Sequence, residues 1–357
     1  MESPAHGGIP LALPRIVLGT AWRSTREGES ARTRLVHEAI DRGLTAIDTA
    51  PLYELGRVEA ELGRALRGRR DEVLLLTKVG LRWDSDHGEA LFESTVDGQR
   101  HVVRRDGRPE AVRRDVEESL QRLATDVLDL VQVHQPDHRT PVAETVGELA
   151  RLRDEGKLRF IGLSNHPASM LREAVDALGS EGVSTCQEHY SLLARGIEQG
   201  LLPAARERGI GVLAYSALEA GILADRTLGR GRPPTDRGPL FHPRNVDRIQ
   251  GALRGVVLPL AREKGVGLAE ICLAWVLHQP GVESVIIGAS SPEQLEANER
   301  AARLDLSPEE AARLCDAFES IPIDWTAGRS WSDRARGLFR RRVRAVRRGW
   351  ARARLRR

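Results

Sequence analysis

Eight short apolar runs, each followed by an amphipathic segment, recur along most of the chain, and no other feature narrows the fold as much. The runs are IVLGT (16–20), LTAID (44–48), VLLLTK (73–78), LDLVQVH (128–134), FIGLSN (160–165), STCQEHY (184–190), IGVLAYS (210–216) and ESVIIGAS (283–290). Helical periodicity follows near 30–42, 56–67, 109–123, 141–155, 167–178, 196–208, 246–278 and 291–303, with a capped closing helix over 307–320. Strands that are apolar almost throughout belong to parallel sheets covered on both faces by helices. Eight β-then-α units therefore predict a parallel (β/α)8 TIM barrel spanning 1–324. A doubly wound open sheet satisfies the same alternation. The absence of a GxGxxG turn after the first run weighs against it. Caps are expected at Thr140-Pro141 with Glu144 and at Ser291-Pro292 with Gln294.

Two connections are long. Residues 81–108 follow the third run and 217–245, rich in Gly and Pro, follow the seventh. Both are predicted as loops on the C-terminal face, where barrels carry lids and pocket walls. Trp83 and Phe92 either line a pocket there or anchor the loop to the body.

In a parallel barrel every strand delivers its C-terminal end to that same face. The second run ends at Asp48 with Tyr53 just beyond, the third at Lys78 and the fourth at His134. The fifth ends in Ser164-Asn165, the sixth carries Gln187 and Tyr190, and the seventh ends in Tyr215-Ser216. Acid, phenol and ammonium on one face can form a proton-transfer device in which Lys pulls the Tyr pKa down and Asp holds the Lys. Taken alone, the stretch 44–80 fits a buried Asp–Lys ion pair with a bystander Tyr equally well. Composition bears on the choice. The chain has three Tyr (Tyr53, Tyr190, Tyr215) and three Lys (Lys78, Lys157, Lys264) against 51 Arg. A Lys retained against that bias is one that Arg does not imitate. All three Tyr fall at or just past a strand end, where barrel chemistry is found.

Composition also excludes several classes. No apolar run approaches the roughly 18 residues of a membrane span, and the N-terminus has no basic start followed by an apolar segment, so no export signal is expected. Cys186, Cys272 and Cys315 are few and far apart, which predicts a reducing cytoplasmic setting and no metal site. The net charge of +3 conceals a division. Residues 325–357 hold 13 Arg and one acid, a net +12, leaving −9 on the rest. In that tail Phe339, Val343, Val346 and Trp350 recur at helical spacing. As an amphipathic helix it would suit an anionic membrane or an acidic protein surface. As a charge run it is read first as a solvated, disordered extension. Without interleaved aromatics it is not expected to bind nucleic acid.

The ordered motifs resemble the aldo-keto reductase family from about residue 14 to 320: IDTA with Asp48, Tyr53 five residues on, LTK with Lys78, and VHQPD with His134. GLSN (162–165), QxxYSLL from Gln187, LAYSAL (213–218) and IIGASSPEQLEAN (286–298) extend the match, and KVGLRWD, TPVAET and LLARGIE resemble the bacterial reductases close to the potassium-channel β-subunit branch. The resemblance implies that Tyr53 is a general acid/base, with Lys78, Asp48 and His134 beside it, in an enzyme interconverting an alcohol and a small or sugar-like carbonyl. It implies NADPH as cofactor, with NADH left open. The nicotinamide would stack on Tyr215, held by Ser164, Asn165 and Gln187, with Ser216 and Leu218 adjoining. Gly221, Leu223 and Arg226 would wrap the pyrophosphate, and Gly288, Ser290, Gln294 and Asn298 the adenosine 2′-phosphate. Trp22 and Trp83 are candidate walls of the substrate pocket, and Glu54 joins them if it points inward, where it would raise the Tyr53 pKa or meet a cationic substrate group; outward and solvated is its default. Glu54 and Val58 stand where the family usually has Gly and Ser, Gln294 stands where some relatives carry Arg, and the Arg tail is not typical. A second reading makes the barrel a nicotinamide-binding redox sensor or scaffold docked through its tail.

Overall fold

The computed structural model describes residues 5–6, 9–22, 28–179, 182–229 and 238–324; the Arg-rich tail expected over 325–357 lies outside the described residues. Eight parallel strands close into a barrel in chain order: β1 (Ile16–Gly19), β2 (Ala46–Asp48), β3 (Leu74–Val79), β4 (Leu128–Val133), β5 (Leu158–Ser164), β6 (Thr185–His189), β7 (Gly211–Tyr215) and β8 (Val282–Ile287). β8 returns to β1 with Val285 opposite Ile16. Around it run α1 (Gly28–Asp41), α2 (Arg57–Ala65), α3 (Pro109–Leu123), α4 (Val142–Asp154), α5 (Ala168–Leu178), α6 (Leu201–Arg206), α7 (Pro243–Ala252), α8 (Leu258–Lys264), α9 (Leu268–Leu277), α10 (Pro292–Arg303) and α11 (Pro308–Glu319).

The two-residue period of the strands sorts side chains between two regions. Ile47, Leu75, Val131, Val133, Ile161, Leu163 and Cys186 point outward into the large core beneath the helices. Val17, Ala46, Leu76, Leu130, Phe160, Leu213 and Ile286 point inward and form an apolar floor, joined by Leu11 from the N-terminal end of the strands. Two residues further on, the same inward rows turn polar. Ala46 is followed by Asp48, Leu76 by Lys78, Leu130 by Gln132 and Leu213 by Tyr215. The barrel interior is thus greasy below and polar above, and its polar layer faces the ends where the long connections leave.

Several local expectations change. Residues 196–208 form a 3-10 turn (Gly196–Gln199) and then α6, interrupted at Gly200. The segment read as one helix over 246–278 is α7, a π-helical turn at Leu253–Val257, α8 and then α9, with Gly265 ending α8 in a left-handed conformation (φ 68°). Neither Thr140 nor Ser291 caps its helix; Gln294 Oε1 instead accepts from the Ser290 N–H (2.8 Å) and hydroxyl (3.1 Å). Ser307 and Glu310 do form a reciprocal capping box on α11.

The connection 81–108 is not an irregular loop. Glu89–Val96 and Gln99–Arg105 form an antiparallel hairpin, and Leu81–Arg82 pairs with Arg104–Arg105. Its turn is Asp97-Gly98, both at positive φ (49° and 78°), as a two-residue hairpin loop requires. Arg82, 3 % exposed, pins the root through Asp115 and Asp84 (both 2.6 Å). Among the described residues no helix is long and apolar enough to cross a membrane.

Candidate active site

A cavity of about 830 Å3 opens at the C-terminal ends of the strands. At one end it is lined by Trp22, Asp48, Tyr53, Lys78 and His134, and at the other by Gly288, Ser290, Gln294 and Asn298. Ser164, Asn165, Gln187, Tyr215, Ser216, Leu218, Gly221 and Arg226 lie between.

Asp48 and Lys78 stand side by side because β2 pairs with β3, and both are almost fully buried (1 % and 2 % exposed). The Lys78 ammonium donates to Asp48 Oδ1 (2.7 Å) and Oδ2 (2.5 Å) and to the Thr49 carbonyl (2.9 Å). It also lies 5.4 Å from the Tyr53 ring centre, close enough for its charge to act on the phenol. Burial works against the ammonium, but Asp48 and Tyr53 more than offset it and Lys78 titrates above an ordinary lysine. Burial pushes the Asp48 carboxyl up, and Lys78 and then Gln187, which donates from Nε2 (3.2 Å), pull it only part of the way back, so its net direction is upward. With both oxygens on an ammonium, the pair stays ionised at neutral pH.

Tyr53 departs from expectation. Burial raises its pKa above 10, Lys78 lowers it and Asp48 raises it, so the net direction is upward. The phenol therefore holds its proton at neutral pH, which is the state a general acid needs. His134 sits edge-on to Tyr53 with ring centres 6.4 Å apart. Burial and then the Lys78 charge depress its pKa well below 6.5, so the imidazole is neutral and can donate one hydrogen bond.

Past this end the lining suits a flat aromatic amide and a charged tail. The Tyr215 hydroxyl donates to Asn165 Oδ1 (2.6 Å), and His189 stacks on its ring (5.6 Å, 21°). Asn165 Nδ2 donates to the His134 carbonyl and to the Ser164 hydroxyl (3.0 Å each). Asn165 itself is left-handed (φ 62°), a conformation that Asn tolerates better than most side chains. Below it the Glu188 carboxylate accepts from the His166 N–H (3.0 Å), and burial raises this carboxyl to about 8. Gly221 is also left-handed (φ 87°), and a Cβ there would lie 1.9 Å from the Arg226 guanidinium. Bare backbone at Gly221 and Gly288, amides at Asn165 and Gln187 and the open aromatic of Tyr215 fit a nicotinamide dinucleotide in shape and donor chemistry.

Three expected residues lie off the lining, and one further Tyr proves structural. Glu54 turns away because it and Leu55 are both left-handed (φ 50° and 53°), which brings its carboxylate onto Arg57 (2.8 Å) and Arg32 (3.6 Å). Trp83 is half-buried beside the hairpin root, which takes up the chain that would have reached the pocket. Leu223 is fully buried in the outer core, so only its backbone belongs to the loop. Tyr190 is also fully buried, donates to Glu198 (2.7 Å) and packs on Trp275 (5.6 Å), a barrel-to-helix contact. Conversely, Gln132, Gln135 and Glu270 were not anticipated. Gln132 hydrogen-bonds Gln187, and the other two reach the cavity. A Gln amid the all-buried strand LDLVQV was the available signal for the first.

The aldo/keto reductase family model matches residues 15–319. The NADH-specific methylglyoxal reductase of Escherichia coli (strain K12) is 33 % identical over 335 residues, 90 % of this chain and 99 % of that protein. The glycerol dehydrogenase of Gluconobacter oxydans superposes with a TM-score of 0.77 at 30 % identity, covering 90 % of this chain and 97 % of that one. An aldo/keto reductase from Klebsiella pneumoniae, solved with NADP and acetate, gives a TM-score of 0.64 at 30 % identity, covering 86 % and 92 %.

Proposed function

The chain belongs to the aldo/keto reductase family, and we propose that it uses NADPH, with NADH as the second choice, to interconvert a small or sugar-like carbonyl and its alcohol. The observation that carries this reading is the meeting of Asp48, Tyr53, Lys78 and His134, delivered by three different strand ends, in one cavity wide enough for a dinucleotide. The bound dinucleotide supplies or accepts the hydride. The chain does the rest. Tyr53 gives its proton to the carbonyl oxygen in reduction and takes it back in oxidation. Lys78 stabilises the phenolate that forms, and Asp48 keeps that ammonium charged and aimed. Neutral His134 donates a hydrogen bond that orients the carbonyl. Tyr215 offers one ring face, the other being occupied by His189. Ser164, Asn165 and Gln187 present both donors and acceptors to a carboxamide.

The acetate and NADP of the Klebsiella protein and the small polyol and aldehyde named for the other relatives support a compact oxygenated substrate. Tyr53→Phe removes the acidic proton and little else. Carbonyl reduction should fall at least roughly 100-fold, with dinucleotide binding by fluorescence quenching nearly unchanged. Undiminished turnover in Tyr53→Phe would remove the assignment.

A further inference from the structure

The polar layer of the barrel continues beyond the four groups described above. Gln187 receives at Oε1 a hydrogen bond from Gln132 Nε2 (3.0 Å), and Gln132 Oε1 in turn accepts from the Thr185 hydroxyl (3.4 Å). None of the three is more than 2 % exposed. Adjacent registers bring them together: Gln132 is opposite both Lys78 and Gly162, and Thr185 is opposite Gly162. Gly162 makes the room. A Cβ there would lie 2.5 Å from Thr185 Oγ1 and 2.9 Å from Gln132 Cγ.

The direction of this chain follows from chemistry alone. Ionised Asp48 only accepts, so Gln187 must turn its NH2 toward it. The Gln187 oxygen then faces Gln132, which must turn its own NH2 to meet it. The Gln132 oxygen is left facing Thr185, whose hydroxyl can donate. Reversal of any amide would set oxygen against oxygen in a buried setting. We propose that Gln132 is a positioning residue: by holding the Gln187 amide in one orientation, it keeps a donor on Asp48 and fixes which group Gln187 presents to the cavity. The proposal rests on the reading of Tyr53 as the proton donor, because the Asp48 charge acts on Tyr53 through Lys78.

Gln132→Met retains shape and removes both polar atoms. Losing a buried hydrogen bond that orients a charged group is expected to lower kcat roughly 10- to 100-fold, with the KM for the carbonyl substrate nearly unchanged. The basic limb of the kcat–pH profile should move to higher pH, since an Asp48 with one fewer donor raises the Tyr53 pKa further. Gln132→Glu can imitate the Gln132 donor only while protonated. It should approach wild-type activity at the acid end and lose it as the carboxyl ionises, adding a limb that the wild type lacks. Thr185→Val, at the far end, should give a weaker form of the Met result and serves if Gln132→Met does not fold. A residue that only fills space would lower the melting temperature of these variants and leave the shape of each pH profile superimposable on the wild type. That result overturns the proposal. Tyr53→Phe measured alongside separates the two readings. If it is inactive while the Gln132 variants keep wild-type profiles, only the positioning role fails. If it is active, the proton-donor assignment fails first.

Discussion

Asp48→Asn tests what the buried pair contributes to stability. The substitution keeps the shape and removes the charge, leaving the Lys78 ammonium, 2 % exposed, with an amide oxygen and the Thr49 carbonyl (2.9 Å). Removing one partner of a buried ion pair typically costs about 3–5 kcal/mol. The loss has a ceiling, because Lys78 can release its proton instead. From the ordinary lysine value of 10.5, deprotonation costs roughly 4.8 kcal/mol at pH 7 and roughly 2.0 kcal/mol at pH 9. In the wild type Lys78 titrates above 10.5, so its contribution is fully present below that value and is lost only as pH rises through the folded pKa. In the variant burial is no longer offset and the folded pKa drops below 10.5, so variant stability rises with pH relative to the wild type. Urea unfolding of both proteins at pH 6, 7, 8 and 9 should therefore show a gap that narrows by up to about 1.4 kcal/mol per pH unit. A gap that stays constant from pH 6 to 9, or no gap at pH 7, would refute the reasoning.

Two further outcomes follow from groups around the cavity. Glu188 holds its proton up to about pH 8 in the folded chain against an ordinary carboxyl in the unfolded one. Wild-type stability should therefore fall as pH rises between about 4.5 and 8, and Glu188→Gln should flatten that fall in thermal melts; parallel curves would refute it. We propose that the adenosine 2′-phosphate is taken at the Gly288–Asn298 end of the cavity, so Gln294→Arg should lower KM for NADPH roughly 3- to 10-fold with little change for NADH. An equal change for both cofactors in steady-state kinetics would remove Gln294 from that role.

How much of this was legible depended on how local the deciding interaction is. The barrel and the strand-end positions of Asp48, Lys78, His134 and Tyr215 follow from patterns a few residues long, since strand period and parallel topology decide where each side chain goes. The hairpin over 89–105 carried a readable signal in Asp97-Gly98 between alternating residues, but the length of the connection masked it. Glu54 faces away from the phenol, as its default reading had it, but its ion pairs with Arg57 and Arg32 were not legible, because two successive left-handed residues set its direction and neither Glu nor Leu announces them. Leu223 was misplaced, and Tyr190, though just past a strand end as expected, is structural, because packing against helices remote in sequence claims both. For the Tyr53 pKa the difficulty was quantitative. The Lys78 charge was apparent from sequence, but how far the barrel excludes water was not.

The hairpin is joined to the body at its root, by Leu81–Arg82 and the Arg82–Asp115 pair, and at its tip, where Asp97 accepts from Arg57 of α2 (3.3 Å), and it lends no side chain to the cavity. The proton machinery therefore belongs to the barrel strands and their first loops and not to this appendage. Descendants of this protein could exchange the appendage for another while Asp48, Tyr53, Lys78 and His134 stayed where they are.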